Sequence, residues 1–232
     1  PPPWRTSLER IRQTLQEFAK YTAQQLRSTE PFPAGTDTLA KLFADDLAQI
    51  DTSRLEANPR IAKPVRGLSW LPTVHFPPIE DASADAARAA MGLVIWSEYY
   101  QEDAWSRRFL DRFAVSFGIG PSGTLISEEL VLGLFMLGPN SDYPRHAHPA
   151  QEFYLTIRGQ AEFLIGHPGE LKMCMPGDLC VHDVNVPHAI RTGDETHLAI
   201  FGWRGDLGGA TWTTEDWGDP QAERHFPQAV NV

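Results

Sequence analysis

The stretch YPRHAHPAQEFY, residues 143–154, carries the residues that decide the fold and the chemistry. On a β-strand, residues two apart share a face, so His146 and His148 should point the same way. Glu152 and Tyr154 repeat this spacing a few residues later. Two neutral imidazoles and a carboxylate converging from one face suit a divalent first-row transition metal and leave positions open for water or substrate. The stretch predicts a metal site built on strands.

A second stretch with turn residues and a histidine follows downstream. Pro176-Gly177-Asp178 is a turn signal, and Val186-Pro187-His188 comes after a turn around Asn185. His188 opens the next apolar run, so it is a candidate ligand from a neighbouring strand. We expect the fourth ligand of the site to come from such a strand.

The chain changes character near residue 110. Before it, apolar residues recur at three- and four-residue steps over 4–26 and 39–50, and an Ala-rich segment covers 83–100, which indicates amphipathic helices. After it, short apolar runs alternate with turn residues, which is typical of a β-sandwich or barrel. The predicted strands are 114–119, 130–137, 152–157, 161–165, 178–181, 188–191 and 198–203. We predict an α+β, mainly β protein, with a helical extension over 1–110 packed on a β domain over 111–232.

Composition narrows the function classes. The 232 residues include 20 Lys and Arg against 30 Asp and Glu, a net charge of −10 that argues against binding a nucleic-acid backbone. No run of about 18 apolar residues occurs, so we expect no transmembrane helix and no membrane partner. The two cysteines, Cys174 and Cys180, are too few for a disulfide framework and indicate a reducing compartment. We therefore expect a cytoplasmic protein.

The two stretches resemble the two conserved motifs of the cupins. The first is His146-x-His148-x3-Glu152-x6-Gly159, and the second joins Pro176-Gly177-Asp178 to Pro187-His188. The resemblance implies that residues 111–232 form a cupin β-barrel, or double-stranded β-helix, that binds one divalent transition metal: Zn, Mn, Fe, Co or Ni. The ligands that it implies are His146, His148, Glu152 and His188. One departure is His182, which stands where cupins usually carry an aliphatic residue. We interpret His182 as a structural or supporting histidine.

A narrower resemblance joins Tyr143, Glu152-x-Tyr154 and the helical extension. Together they look like the bacterial cupin-type dimethylsulfoniopropionate (DMSP) lyases of sulfur metabolism, and the length of the extension is most similar to the DddL-like branch. The resemblance implies a carbon-sulfur lyase of the dimethylpropiothetin dethiomethylase type, which releases dimethyl sulfide and acrylate from DMSP. The expected partner is thus a small sulfonium carboxylate. A homodimer is compatible with the cupin resemblance.

The catalytic roles follow from the chemistry of β-elimination. The reaction needs a base at the α-carbon and stabilisation of the charge that builds on the adjacent carboxylate. The pKa of a free tyrosine is about 10, and a neighbouring dication lowers it. Tyr154 would lie either beside the metal or coordinated to it. We predict Tyr154 as the general base and Tyr143 as a residue for substrate positioning or proton traffic. The leaving group is neutral dimethyl sulfide, so no general acid is needed.

Two other functions fit the same ligands. A cupin Fe(II) dioxygenase acting on a small thiol or carboxylate would share the metal set but consume dioxygen. A cupin that binds a small acid without catalysis would show no turnover.

Tyr99 and Tyr100 are predicted to bridge the helices and the barrel rather than to line the site.

Overall fold

The N-terminal part is helical, as the apolar stripes predict. The computed structural model of the chain describes residues 3–59, 63–74 and 82–229. Its helices are α1 (Pro3–Ser28), α2 (Asp37–Gln49) and α3 (Ala82–Met91), and a 3-10 segment, Arg66–Thr73, lies between α2 and α3. The predicted third helix ends at Met91 and does not reach residue 100, because the chain turns extended and pairs with a sheet from Ile95 onward.

The seven predicted strands are confirmed, with small shifts at their ends. The strands that the sequence did not predict are short or polar, or lie at sheet edges. In chain order the strands are β1 (Pro31–Phe32), β2 (Ile95–Ser97), β3 (Phe113–Gly120), β4 (Leu125–Ile126), β5 (Leu130–Leu137), β6 (Asp142–His146), β7 (Ala150–Arg158), β8 (Ala161–Ile165), β9 (Glu170–Cys174), β10 (Leu179–His182), β11 (His188–Thr192) and β12 (His197–Gly205).

The strands form two sheets. The larger sheet has the order β1-β10-β7-β12-β5-β3-β2, with β4 beside β3, and the smaller one has the order β6-β11-β8-β9. The prediction of a closed barrel is corrected here, because no strand pairing within the described residues joins an edge of one sheet to an edge of the other. The fold class itself is mainly β, with the helices at the N-terminus.

Alternation along the strands sends side chains into two separate cores. In β7, Phe153 and Leu155 pack with the helices, and the Phe43 ring of α2 lies 5.0 Å from the Phe153 ring in an edge-on contact. Tyr154, of the opposite parity, enters the core between the two sheets, where its ring lies 5.4 Å from that of Phe163 in β8. This parity matches the sequence prediction. The helical layer therefore braces the outer face of the sheet whose inner face carries the polar residues.

The first 110 residues also contribute strands to the larger sheet. β1 pairs in parallel with β10, and β2 pairs with β3. The domain boundary near residue 110 stays a prediction.

Within the described part of the chain, no helix has both the length and the apolar character needed to cross a bilayer. Cys174 and Cys180 are free thiols, as expected, and both are buried.

Candidate metal centre and aromatic cavity

The four predicted ligands come together between the two sheets. His146 ends β6 and lies opposite His188 at the start of β11, while Glu152 is carried by β7. The Nε2 atoms of His148 and His188 lie 3.0 and 3.3 Å from Oε2 of Glu152. The rings of His146 and His188 are 4.1 Å apart. All four side chains are buried, so the cluster is shielded from bulk water.

Backbone carbonyls orient three of the imidazoles. A carbonyl only accepts hydrogen bonds, so an Nδ1 atom that faces one carries the proton, and its Nε2 keeps a lone pair. Burial lowers the pKa of His146 well below its ordinary value and that of His188 to about 3, which keeps these rings neutral. The Nδ1–carbonyl distances are 2.7 Å for His146 to Pro144, 3.0 Å for His148 to Ala150 and 3.0 Å for His188 to Val186.

Glu152 is the centre of the cluster. Burial favours its neutral form, but the contact with Nε2 of His148, the first of several histidine contacts, holds the pKa of Glu152 well below its usual range. Its Oε1 accepts a 2.6 Å hydrogen bond from Nε1 of Trp203, the residue opposite it on β12. The carboxylate is thus ionised and fixed by a neighbouring strand.

His182 also belongs to this cluster, which the sequence interpretation missed. It lies opposite Glu152 in the β10–β7 register, and its Nε2 is 3.1 Å from Oε2 of Glu152. Its ring stacks on that of His188, with centroids 3.9 Å apart and planes at 29°. The signal that could have found it is the pairing of β10 with β7, which a sequence alone does not specify.

The donor set fits a metal ion. The Nε2 atoms of His182 and His188 are buried and have no hydrogen-bond partner among the described residues. Both nitrogens lie close to Oε2 of Glu152, at 3.1 and 3.3 Å, so one cation can bind the two imidazoles and the carboxylate together. Imidazole and carboxylate ligands suit the divalent ions from Mn to Zn, so the residues present fit such an ion without selecting one.

A bulge in β6 brings Tyr143 to the same face as His146. These residues are three apart, so a regular strand would point them to opposite faces. In the β6–β11 pairing, His146 lies opposite His188 and Tyr143 lies opposite Ile190. The two pairs are two residues apart along β11 but three residues apart along β6, so β6 holds one extra residue, a β-bulge. The rings of Tyr143 and His146 consequently lie 4.4 Å apart.

A small aromatic cavity, about 20 Å³, borders Glu152. Both predicted catalytic tyrosines lie on it and are buried. Burial, followed by the charges of nearby groups, raises the pKa of Tyr143 and of Tyr154 well above 10, so both are neutral phenols in the protein alone. The cavity is lined by Tyr99, Tyr100, Phe113, Val115, Phe117, Phe135, Tyr143, Glu152, Tyr154, Phe201 and Trp203.

Tyr99 and Tyr100 line this cavity, whereas the sequence interpretation gave them a bridging role. The hydroxyls of Tyr100 and Tyr143 lie 2.8 Å apart in a buried hydrogen bond. Tyr99 adopts a left-handed backbone conformation with φ of 59°, a strained state for a non-glycine residue of the kind that clusters at functional sites. Its ring lies 5.7 Å from that of Trp203. The connector from the helices therefore supplies part of the site.

Comparison with known proteins identifies the relatives of this chain. The family model for dimethylsulfoniopropionate lyase matches residues 59–199. Dimethylsulfoniopropionate lyase DddQ of Ruegeria pomeroyi is 39% identical over 127 residues, which are 54% of this chain and 62% of that protein. The putative dimethylsulfoniopropionate lyase DddL of Cereibacter sphaeroides is 27% identical over 132 residues, 55% of this chain and 52% of that protein. The chain thus spans between half and two thirds of these curated relatives.

Solved structures agree over a longer span. A chain from the crystal structures of the DMSP lyases RdDddP and RnDddQII superposes with a TM-score of 0.66 and 25% identity, covering 89% of this chain and 97% of that one. The crystal structure of DddQ from Ruegeria pomeroyi superposes with a TM-score of 0.62 and 29% identity, covering 81% of this chain and all of that one. Most of this chain therefore shares the fold of these proteins.

Proposed function

Because this chain belongs to the dimethylsulfoniopropionate lyase family, we propose that it is a metal-dependent lyase that cleaves DMSP to dimethyl sulfide and acrylate. The observation that carries the proposal is the contact between the buried His and Glu cluster and a cavity lined by four tyrosines. A sulfonium carboxylate has an anionic end suited to a metal and a soft cationic end suited to aromatic rings. The cavity beside Glu152 offers both surroundings.

The chain's own residues set the metal chemistry. His146, His148, Glu152 and His188 would hold one divalent ion, Zn, Mn, Fe, Co or Ni, in a cupin-type arrangement between the two sheets. When bound, the ion supplies Lewis-acid stabilisation of the negative charge that develops on the substrate carboxylate. Trp203 keeps Glu152 in place through its hydrogen bond to Oε1. The carbonyl contacts at Nδ1 keep three imidazoles in the tautomer that binds metal.

Tyr154 is the proposed base. Burial and the Glu152 carboxylate keep its phenol protonated, so it becomes a usable base only when positive charge beside Glu152 offsets that carboxylate. The Tyr154 oxygen then takes the α-proton of the substrate. The electron pair of the broken C–H bond forms the C=C bond of acrylate, and the pair of the C–S bond leaves with neutral dimethyl sulfide.

The remaining cavity residues orient the substrate. Tyr143, held by Tyr100, presents a fixed hydroxyl next to His146. The ring faces of Tyr99 and Trp203 provide an aromatic wall for the sulfonium group, an interaction of about 0.5–2 kcal/mol. The substrate is the only partner that we propose. We propose that the protein acts in the cytoplasm, because its two cysteines are too few for a disulfide framework.

Headspace gas chromatography of dimethyl sulfide tests this function directly. Metal-loaded protein is given DMSP with and without dioxygen, and equal production in both is expected for a lyase. Production that requires dioxygen would favour the dioxygenase, and no production would remove the lyase assignment.

Tyr154→Phe is expected to retain the metal and lose at least about 100-fold in kcat, as removal of a general base does. A Tyr154→Phe protein with wild-type turnover would exclude Tyr154 as the base.

A further inference from the structure

His182 lies inside the histidine and glutamate cluster, and we propose that it is a ligand of the metal ion, coordinating through Nε2 beside Glu152 and His188. This inference deepens the proposed function and rests on its metal dependence. The cupin-like motifs imply four ligands and do not include this position. The distances, hydrogen-bond geometry and burial of His182 support its role as a fifth ligand.

The spacing of the donor atoms matches ligands of one ion. Metal–ligand bonds of about 2.1 Å at angles between about 90° and 110° place neighbouring ligand atoms about 3.0–3.4 Å apart. Oε2 of Glu152 has three imidazole Nε2 atoms in this range: His148 at 3.0 Å, His182 at 3.1 Å and His188 at 3.3 Å. The distance for His182 is thus between those for two of the ligands that the motifs imply.

Hydrogen-bond geometry distinguishes His182 from an ordinary supporting residue. A histidine that only supports Glu152 would aim an N–H at the carboxylate oxygen. Nε2 of His182 is close to Oε2 but has no partner in hydrogen-bond geometry among the described residues, and the same holds for Nε2 of His188. His182 therefore resembles the ligand His188 in this respect, and the two rings stack on each other.

The five donors form two triads that share one residue. His146, His148 and His188 bring their ligand atoms within 4.8 Å of one another, and so do Glu152, His182 and His188. All five side chains are at most 4% exposed. His182 therefore meets the same 4.8 Å limit with Glu152 and His188 that His146 meets with His148 and His188. Five protein donors leave fewer positions for water and substrate than four would, which favours a single, defined mode of carboxylate binding.

Metal titration of variants tests this inference. Metal-free wild type, His182→Gln and His182→Ala are titrated with Co(II) and with Zn(II) against a competing chelator, and the visible spectrum of the Co(II) form is recorded. Glutamine keeps an N–H group that can reach Glu152 but lacks the imidazole lone pair. The matched control is His197→Gln, which changes another fully buried histidine whose Nε2 contacts Thr156 at 3.2 Å. Far-UV circular dichroism checks that each variant is folded.

A ligand role predicts that both His182 variants lose more than about 100-fold in affinity, beyond the 10–100-fold that an outer hydrogen-bonding partner contributes. The Co(II) spectrum should change, and X-ray absorption of the Zn(II) form should count one imidazole fewer. His197→Gln should bind as wild type does. An unchanged spectrum and imidazole count in His182→Gln would overturn the ligand role and leave the lyase proposal standing. Wild type that binds neither ion would overturn both.

Discussion

Acid should destabilise this protein partly through His197, a histidine outside the metal cluster. His197 is fully buried in β12, and burial lowers its pKa to about 3. In the unfolded chain the pKa returns to about 6.5, so the unfolded state binds a proton in a pH range where the folded state does not. The stability that comes from the neutral imidazole is present above pH 6.5 and is lost as the pH falls toward 3.

The size of the effect follows from the two pKa values. Between pH 7 and pH 5, protonation of the unfolded His197 costs the folded state about 2 kcal/mol. In His197→Gln this contribution is gone, so its free energy of unfolding should fall by about 2 kcal/mol less than that of wild type over this interval. The titrating histidines of the metal cluster are common to both proteins and cancel in the comparison.

Urea unfolding of both metal-free proteins at pH 7 and pH 5 measures the difference. His167→Gln, which changes an exposed histidine, is the matched control and should show the wild-type loss. If His197→Gln loses as much stability as wild type between the two pH values, His197 is not a buried neutral imidazole and the reasoning is refuted.

Three further changes test other parts of the site. Tyr100→Phe removes the hydroxyl partner of Tyr143, so kcat should fall about 3–10-fold, and combination with Tyr143→Phe should add little; additive losses in kcat would contradict the pairing. Trp203→Phe keeps an aromatic ring but removes the hydrogen bond to Glu152, so the affinity for Zn(II), measured by chelator competition, should fall about 10–100-fold. An unchanged affinity would show that this hydrogen bond does not position Glu152 for the metal. Phe43→Ala should lower the free energy of unfolding by about 3–5 kcal/mol, measured in urea; a loss below 1 kcal/mol would show that the helical layer does not brace the sheet.

The strands and helices were predictable where one face of each element is apolar. The buried strands β3, β5 and β12 read as continuous or alternating apolar runs, and the stripes of α1 and α2 follow helical spacing. β6 and β9 were missed because they are polar and lie at the two edges of the smaller sheet, where no second apolar face is required. The division into two sheets could not be predicted either, since it depends on long-range pairing.

The site was predictable only as far as local spacing reaches. His146, His148 and Glu152 lie on one short stretch, so their closeness was predictable, but that stretch passes from β6 of the smaller sheet to β7 of the larger one, so the expected common strand face was wrong. His182 and Trp203 lie beside Glu152 only because β10 and β12 flank β7 in register, which is a tertiary fact. Tyr100 comes from a connector whose path is set by packing, and its hydroxyl contact with Tyr143 has no counterpart in the sequence pattern.

The extra residue in β6 makes one part of the site depend on chain length rather than on residue type. At its present length a regular β6 would turn Tyr143 away from the face of His146, whereas deleting residue 144 or residue 145 would leave the two residues at a spacing of two, which puts both side chains on one face without a bulge. Such a deletion variant should still bind metal and keep the Tyr143 hydroxyl in its cavity. Counting the residues between the tyrosine and the first histidine thus predicts from sequence whether β6 needs a bulge: an odd spacing requires one to bring both side chains to the metal site, and an even spacing does not.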